Sequence, residues 1–171
     1  MKKIKQSHLI AASPAEVWRA LTDPKLIAEW SGADAKFVLK VGAEYALWDG
    51  SFCGKIVEVA PNKKLVQTWQ PDYWETEDSV VTFTLTPVGG KTRVDLLHTN
   101  VEASDYAGTR EGWELYYLGA IKQMLEERAP NKKPVSAKLA KKTKAAKKPV
   151  AKKSTSIKSA QKKNSKTKSR R

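Results

Sequence analysis

His98 is the residue of this sequence best suited to proton transfer near neutral pH, since an imidazole titrates close to that range. It lies near the end of a predicted strand, Thr92–Thr99. The sequence contains no nucleophile motif, no pair of carboxylates at catalytic spacing and no metal motif that would accompany His98. Acid–base catalysis needs a partner group within reach as well as a suitable pKa. We therefore favour a structural histidine and keep a cyclase or lyase type of reaction as the alternative.

Large aromatic side chains recur on elements whose apolar faces should point inward. Filling the core is the simpler interpretation, and lining a pocket for a small hydrophobic ligand is the other. Aromatic rings suit a pocket because they combine a large apolar area with a fixed shape. With His98, the candidates for such a pocket are Trp30, Trp48, Trp69, Phe83, Trp113 and Tyr117.

Two further aromatic residues, Tyr73 and Trp74, lie in an acidic segment, Asp72–Asp78. Loops are usually exposed and often carry binding residues. The pair is therefore a candidate for the lip of the pocket or for a contact with a partner protein. The alternative is that Trp74 folds over the edge of the sheet.

The C-terminal segment Pro130–Arg171 carries 17 Lys and Arg residues and no acidic residue. It contains no aromatic residue and only four aliphatic residues larger than alanine, so burial cannot offset its ordering entropy, and we expect disorder. A flexible polycation binds phosphate backbones by releasing counterions. We expect it to bind DNA or RNA without sequence preference, although a solvating tail or contacts with acidic proteins or membranes are alternatives. The residues expected to contact nucleic acid are Lys141, Lys142, Lys147, Lys148, Lys152, Lys153, Lys162, Lys163, Arg170 and Arg171.

Residues 1–129 have the length and composition of one folded domain and contain every aromatic residue of the chain. The single cysteine excludes an intrachain disulfide and a Cys-based zinc site. Two histidines are too few for a His-rich metal cluster, although mixed sites with carboxylates stay open. We expect no metal and no cofactor. No apolar run approaches a membrane span. The expected location is the cytoplasm, with association to the nucleoid through the tail.

The pattern along this domain predicts an α+β fold. Ser13, Pro14 and Glu16 form a helix start, a second short helix follows Asp23, and a long amphipathic helix is predicted for 110–128. Asp49-Gly50 and Gly89-Gly90 predict two-residue hairpin turns. The candidate strands are Lys3–Ile10, Ala35–Leu39, Glu44–Trp48, Ser51–Val59, Lys64–Gln70, Ser79–Thr86 and Thr92–Thr99. This order predicts an antiparallel twisted sheet wrapped around the long C-terminal helix.

Three segments carry a resemblance to a known family: Ser13–Pro24 (SPAEVWRALTDP), Gly54–Trp69 (GKIVEVAPNKKLVQTW) and Thr92–His98 (TRVDLLH). With Gly112-Trp113, they resemble the START-like (SRPBCC, helix-grip) superfamily. Within it they resemble the family homologous to the C-terminal domain of the activator of the heat-shock ninety chaperone ATPase. The resemblance implies a cavity between long helix and sheet for an apolar molecule, and it implies no particular reaction.

Three functional hypotheses follow. The first is a non-enzymatic domain that binds a small hydrophobic ligand or a partner protein and carries a nucleic-acid-binding tail. The second is a cyclase or lyase that uses the same cavity. The third, which rests on the resemblance, is a co-chaperone-like stress-response module with a chaperone partner.

Overall fold

The structure, a computed structural model, describes residues 2–75 and 79–129. The basic tail Pro130–Arg171, with all ten residues predicted to contact nucleic acid, lies outside the described residues. So do residues 76–78 of the acidic segment.

Seven strands and four helices form the described part, with a π-helical turn between the last two helices. In chain order they are β1 (Lys2–Ile10), α1 (Pro14–Thr22), α2 (Pro24–Ser31), β2 (Glu44–Leu47), β3 (Phe52–Ala60), β4 (Lys64–Thr68), β5 (Gln70–Pro71), β6 (Val80–Val88), β7 (Lys91–Val101), α3 (Tyr106–Gly112), the π segment (Trp113–Tyr117) and α4 (Leu118–Arg128).

The strands pair antiparallel in the order β1-β7-β6-β4-β3-β2, with β5 also paired to β3. The C-terminal helical segment packs against the sheet: Tyr117 stacks on Phe83 of β6, and Trp113 contacts Trp69. The predicted α+β helix-grip architecture is thus confirmed. One hydrophobic core joins sheet, α1, α2 and α4.

Local capping explains where the first two helices begin and end. The Ser13 side chain accepts from the backbone N–H of Glu16, and the Glu16 carboxylate accepts from the backbone N–H of Ser13. The Asp23 side chain caps α2 by accepting a hydrogen bond from the backbone N–H of Lys25, and Gly32 ends that helix in the left-handed region at φ 73°. These interactions pair helix-end groups that would otherwise lack partners.

Two local predictions between α2 and β3 are wrong. The segment Ala35–Leu39 forms only an isolated bridge, through two hydrogen bonds between Lys36 and Ala46. The β2–β3 connection is longer than a two-residue turn, because Leu47 pairs with Phe52 and the loop between them includes Trp48. Trp48 itself has φ 47°. The predicted Gly89-Gly90 turn is confirmed, with both residues at positive φ between a paired Val88 and Lys91.

The last helical segment begins at Tyr106, earlier than the predicted residue 110, and contains the π segment. A widened turn changes which side chains share a face. Gly119 accommodates that turn, because a Cβ at this position would overlap the backbone carbonyl oxygen of Glu114. The glycine inside this helix is therefore explained by a close approach of the backbone.

Candidate functional site

A cavity of about 370 Å³ lies between the C-terminal helical segment, the start of β3 at Phe52 and the segments that contain Trp48, Trp69 and Tyr73. Five residues singled out from the sequence line it: Trp48, Trp69, Tyr73, Trp113 and Tyr117. We call it the aromatic cavity. Tyr73 is 61% exposed and lies at its mouth, whereas Trp69, Trp113 and Tyr117 are buried.

The π segment brings Trp113, Tyr116 and Tyr117 to the same cavity. Tyr117 is held from behind by Trp30, at a ring-centroid distance of 4.7 Å, and by Phe83 at 5.6 Å. Trp30 and Phe83 are buried and support this wall without lining the cavity. Of the six aromatic residues that the sequence analysis listed for a pocket, the structure thus places Trp48, Trp69, Trp113 and Tyr117 in the cavity lining and Trp30 and Phe83 behind it.

His98 does not line the aromatic cavity, although it was a candidate for it. Its side chain is fully buried behind Trp113, whose indole N–H donates to His98 Nδ1 over 3.0 Å. Because an indole N–H only donates, Nδ1 is the unprotonated nitrogen and Nε2 carries the hydrogen. That hydrogen points to the hydroxyl of Ser79, 2.6 Å away.

Burial lowers the pKa of His98 to about 4, so the ring is neutral at physiological pH. Trp74 stacks over it, with ring planes 15° apart. With both ring nitrogens hydrogen-bonded within the protein, the imidazole is held in one tautomer and one orientation. This arrangement orients Trp113 and leaves no nitrogen of His98 facing the aromatic cavity.

Asp105, which the sequence analysis did not single out, holds the mouth of the cavity together. One oxygen of its carboxylate accepts hydrogen bonds from Tyr73 Oη (3.0 Å), Trp74 Nε1 (2.9 Å) and Thr109 Oγ1 (3.0 Å). We call these four residues the Asp105 cluster. It ties the Tyr73–Trp74 loop to the start of α3. Burial, together with the hydrogen bond to Asp105 and its charge, raises the pKa of Tyr73 to about 12.

The two aromatic residues of this loop therefore differ in role. Tyr73 is at the lip, as one prediction had it, while Trp74 is only 6% exposed and folds inward onto His98. The side chain of Trp74 is not available to a partner in this conformation.

Further lining residues were missed by sequence reasoning: Ser51, Phe52, Gly108, Thr109, Gly112 and Tyr116. Phe52 begins β3 next to the irregular loop at Trp48, where simple alternation along a strand does not apply. Tyr116 lies within the helix predicted for 110–128 and is 68% exposed. The helical position of Gly119 was the one available signal of the π segment.

No charged side chain lines the aromatic cavity among the described residues. Burial raises the pKa of the Tyr117 phenol above its usual value, with no charged neighbour as the cause. An environment of this kind disfavours ions and favours apolar, uncharged molecules. Within residues 2–75 and 79–129, no cluster of His, Cys, Asp and Glu could hold a metal ion. None of the helices described there is long and apolar enough to cross a bilayer.

Comparison with known proteins decides the family. Residues 11–126 match the family described as "Activator of Hsp90 ATPase homolog 1-like protein" (AHSA1). The chain belongs to the AHSA1 family. The human activator of 90 kDa heat shock protein ATPase homolog 1 is 28% identical over 122 residues, which cover 71% of this chain and 36% of that protein. This chain thus matches only about a third of the length of that relative.

Solved structures of AHSA1-type proteins share the fold over nearly their whole length. An HSP90 activator from Plasmodium falciparum is 27% identical with a TM-score of 0.69, over 74% of this chain and 97% of that one. An Aha1 protein from Colwellia psychrerythraea, solved in solution as a dimer, is 26% identical with a TM-score of 0.65, over 74% and 97%. The resemblance stated from the sequence is confirmed.

Proposed function

We propose that this AHSA1 domain binds a small hydrophobic molecule in the aromatic cavity without transforming it chemically. The observation that carries this proposal is the cavity itself, about 370 Å³ in volume, with aromatic walls and no charged side chain among its described lining residues. A buried cavity of ~150 Å³ already accommodates benzene, so this one has room for about two rings.

Binding is favoured over a cyclase or lyase reaction by what faces the cavity. Its described lining contains no carboxylate, amine, imidazole or thiol. His98, the candidate for proton transfer, lies behind Trp113 with both nitrogens engaged and a pKa lowered to about 4. A general acid or base must reach the reacting atom, and among the described lining residues tyrosine is the only titratable type.

The test is titration with naphthalene, an uncharged two-ring probe, followed by tryptophan fluorescence. Gly112 lines the cavity and has open space around its Cβ position, so Gly112→Phe should fill the cavity and weaken binding at least tenfold. The matched control is Glu111→Phe, since Glu111 lines a different groove. Equal binding by both variants, or none by the unmodified domain, would refute the proposal. Native mass spectrometry of the protein purified from its own host would then identify the natural ligand.

A chaperone partner is the second candidate, and the family membership supports it. The human relative is named as an activator of the Hsp90 ATPase, and this chain matches a third of it. We expect the exposed rings at the cavity mouth, Tyr73 and Tyr116, to contribute to such a contact. The test compares the ATPase rate of purified Hsp90 in the presence of the unmodified domain with the rate in the presence of the domain's Tyr116→Ser variant. An unchanged rate at saturating domain would exclude an activating role.

For the tail Pro130–Arg171, we propose sequence-independent binding of nucleic acid, which would place the protein on the nucleoid. The support is its 17 basic and no acidic residues. Affinity for duplex DNA should fall steeply with salt, because counterion release drives the binding. Truncation after Ala129 should abolish binding at low salt. Equal binding by residues 1–129, which carry more acidic than basic residues, would refute this assignment.

A further inference from the structure

Four exposed aliphatic side chains form a patch beside β2, the edge strand of the sheet. They are Val38, Leu39, Val41 and Val57, each between 38% and 60% exposed. We call these four residues the Val41 patch. A single exposed aliphatic side chain is ordinary on a protein surface, whereas a group of them marks a surface that binds something.

The backbone brings the members of the patch to one place. The buried ring of Phe37 anchors the segment before β2 in the hydrophobic core, and the residues that follow it turn outward. The backbone N–H of Gly42 then donates to the carbonyl oxygen of Ile56 over 2.8 Å, which sets this turn beside Val57 on β3. Turns are normally formed by Gly, Pro, Asn, Asp and Ser, so three exposed aliphatic residues in and next to this one call for an explanation.

The charge next to the patch is positive. Residues 34–43 contain two exposed lysines, Lys36 and Lys40, against one acidic residue, Asp34. On the adjoining strands, the carboxylates of Glu44 and Glu58 are each already paired with a lysine. An anionic surface would therefore be attracted to this side of the domain.

The composition of the patch favours a lipid surface over a protein partner. Protein interfaces are enriched in aromatic residues and Arg and depleted in Lys. The Val41 patch contains neither an aromatic residue nor an arginine, and the cations that flank it are lysines. This combination fits a membrane surface, where aliphatic side chains enter the boundary between headgroups and acyl chains. Lysine stems lie along apolar surface there and place their ammonium groups at the phosphates.

We propose that the Val41 patch docks this domain on an anionic phospholipid surface. Val38, Leu39 and Val41 enter the headgroup boundary, while Lys36 and Lys40 contact the lipid phosphates. This inference goes beyond the proposed function and does not depend on it, because no residue of the Val41 patch lines the aromatic cavity.

The test measures how the full chain partitions onto vesicles of equal parts phosphatidylcholine and phosphatidylglycerol. Val38→Ser combined with Val41→Ser should weaken partition about tenfold, because two apolar side chains no longer insert. The matched control is Val88→Ser, since Val88 is an exposed valine at the β6–β7 turn and should change partition little. The basic tail is identical in all variants, so its own attraction to anionic lipid cancels in the comparison.

Charge and insertion are tested separately. Lys36→Glu combined with Lys40→Glu should weaken partition about tenfold, whereas Lys91→Glu, an exposed lysine at the β6–β7 turn, should act much less. Val41→Trp places an indole in the patch. Phosphatidylcholine brominated on its acyl chains should quench this indole beyond the quenching seen in the unmodified chain, and Val88→Trp should show no such excess.

All the substituted side chains are exposed, so the variants should fold like the unmodified chain. Equal partition by the combined Val38 and Val41 variant and by Val88→Ser would overturn the proposal. The absence of excess quenching in Val41→Trp would do the same, and either result would assign the Val41 patch to a protein partner.

Discussion

Gly119 offers the sharpest test of how the cavity wall is built. It follows the π segment in the middle of the last helical stretch, where a glycine would ordinarily be a defect. A Cβ at this position would overlap the backbone carbonyl oxygen of Glu114 and would lie 3.3 Å from the carbonyl carbon of the same residue. Gly119→Ala should therefore force the widened turn to shift, and with it the cavity residues Trp113 and Tyr117.

The expected magnitude comes from two opposing effects. Replacing glycine by alanine inside a regular helix stabilises it by about 1 kcal/mol. Overpacking against a backbone atom, which cannot rotate away as a side chain can, costs about 3 kcal/mol. Gly119→Ala should thus lower the free energy of unfolding by about 2 kcal/mol. Gly112→Ala is the matched control, because its Cβ would have open space and should give the ordinary gain of up to about 1 kcal/mol.

Urea unfolding followed by far-ultraviolet circular dichroism measures both variants against the unmodified chain. The two substitutions are chemically identical and lie in one helical segment, so their opposite signs isolate the backbone contact. If Gly119→Ala is as stable as Gly112→Ala, the π segment is not held as described. The explanation of the cavity wall would then be wrong.

Two further predictions concern the residues that hold the cavity from outside. Asp105→Ala should lower the free energy of unfolding by about 3 kcal/mol, because it leaves the buried indole N–H of Trp74 unpaired. Asp72→Ala, in the exposed part of the same loop, should change the free energy of unfolding by at most about 0.5 kcal/mol. Equal effects in urea unfolding would contradict the role of Asp105. Because burial lowers the pKa of His98 to about 4, the unfolded chain takes up this proton first as the pH falls. The neutral His98 therefore contributes about 3 kcal/mol to the free energy of unfolding. This contribution is fully present above pH ~6.5 and is lost as the pH falls towards 4. His98→Gln should flatten this part of the stability profile more than His8→Gln does, since His8 is only half-buried.

Sequence reasoning succeeded where a local signal determines a local structure. The Ser13 and Asp23 caps, the Gly89-Gly90 turn and the candidate strand Ser79–Thr86 each specify an element within a few residues. Together these elements give the order that defines the architecture, and the motifs they carry suffice to indicate the family.

The errors arise where distant parts of the chain meet. The sequence analysis did not single out Asp105, because its donors Tyr73 and Trp74 are about thirty residues away in sequence. Ser104-Asp105 was not recognised as a helix start, and the Asp105 side chain indeed makes no cap hydrogen bond, being used by the cluster instead. The burial of Trp74 likewise depends on the ring of His98, a contact that no local pattern encodes.

The role of His98 follows from the same long-range contacts. Its neutral imidazole accepts a hydrogen bond from the Trp113 indole N–H, and its other nitrogen is hydrogen-bonded to Ser79. The Trp113 ring, which forms one cavity wall, is therefore fixed by a hydrogen bond as well as by packing. A protonated ring could not accept that hydrogen bond, because both nitrogens would then donate. At neutral pH the ring is neutral, so the hydrogen bond from Trp113 is kept and adds to the packing of this wall. The residue best suited to catalysis by its chemistry thus acts here through the orientation of Trp113.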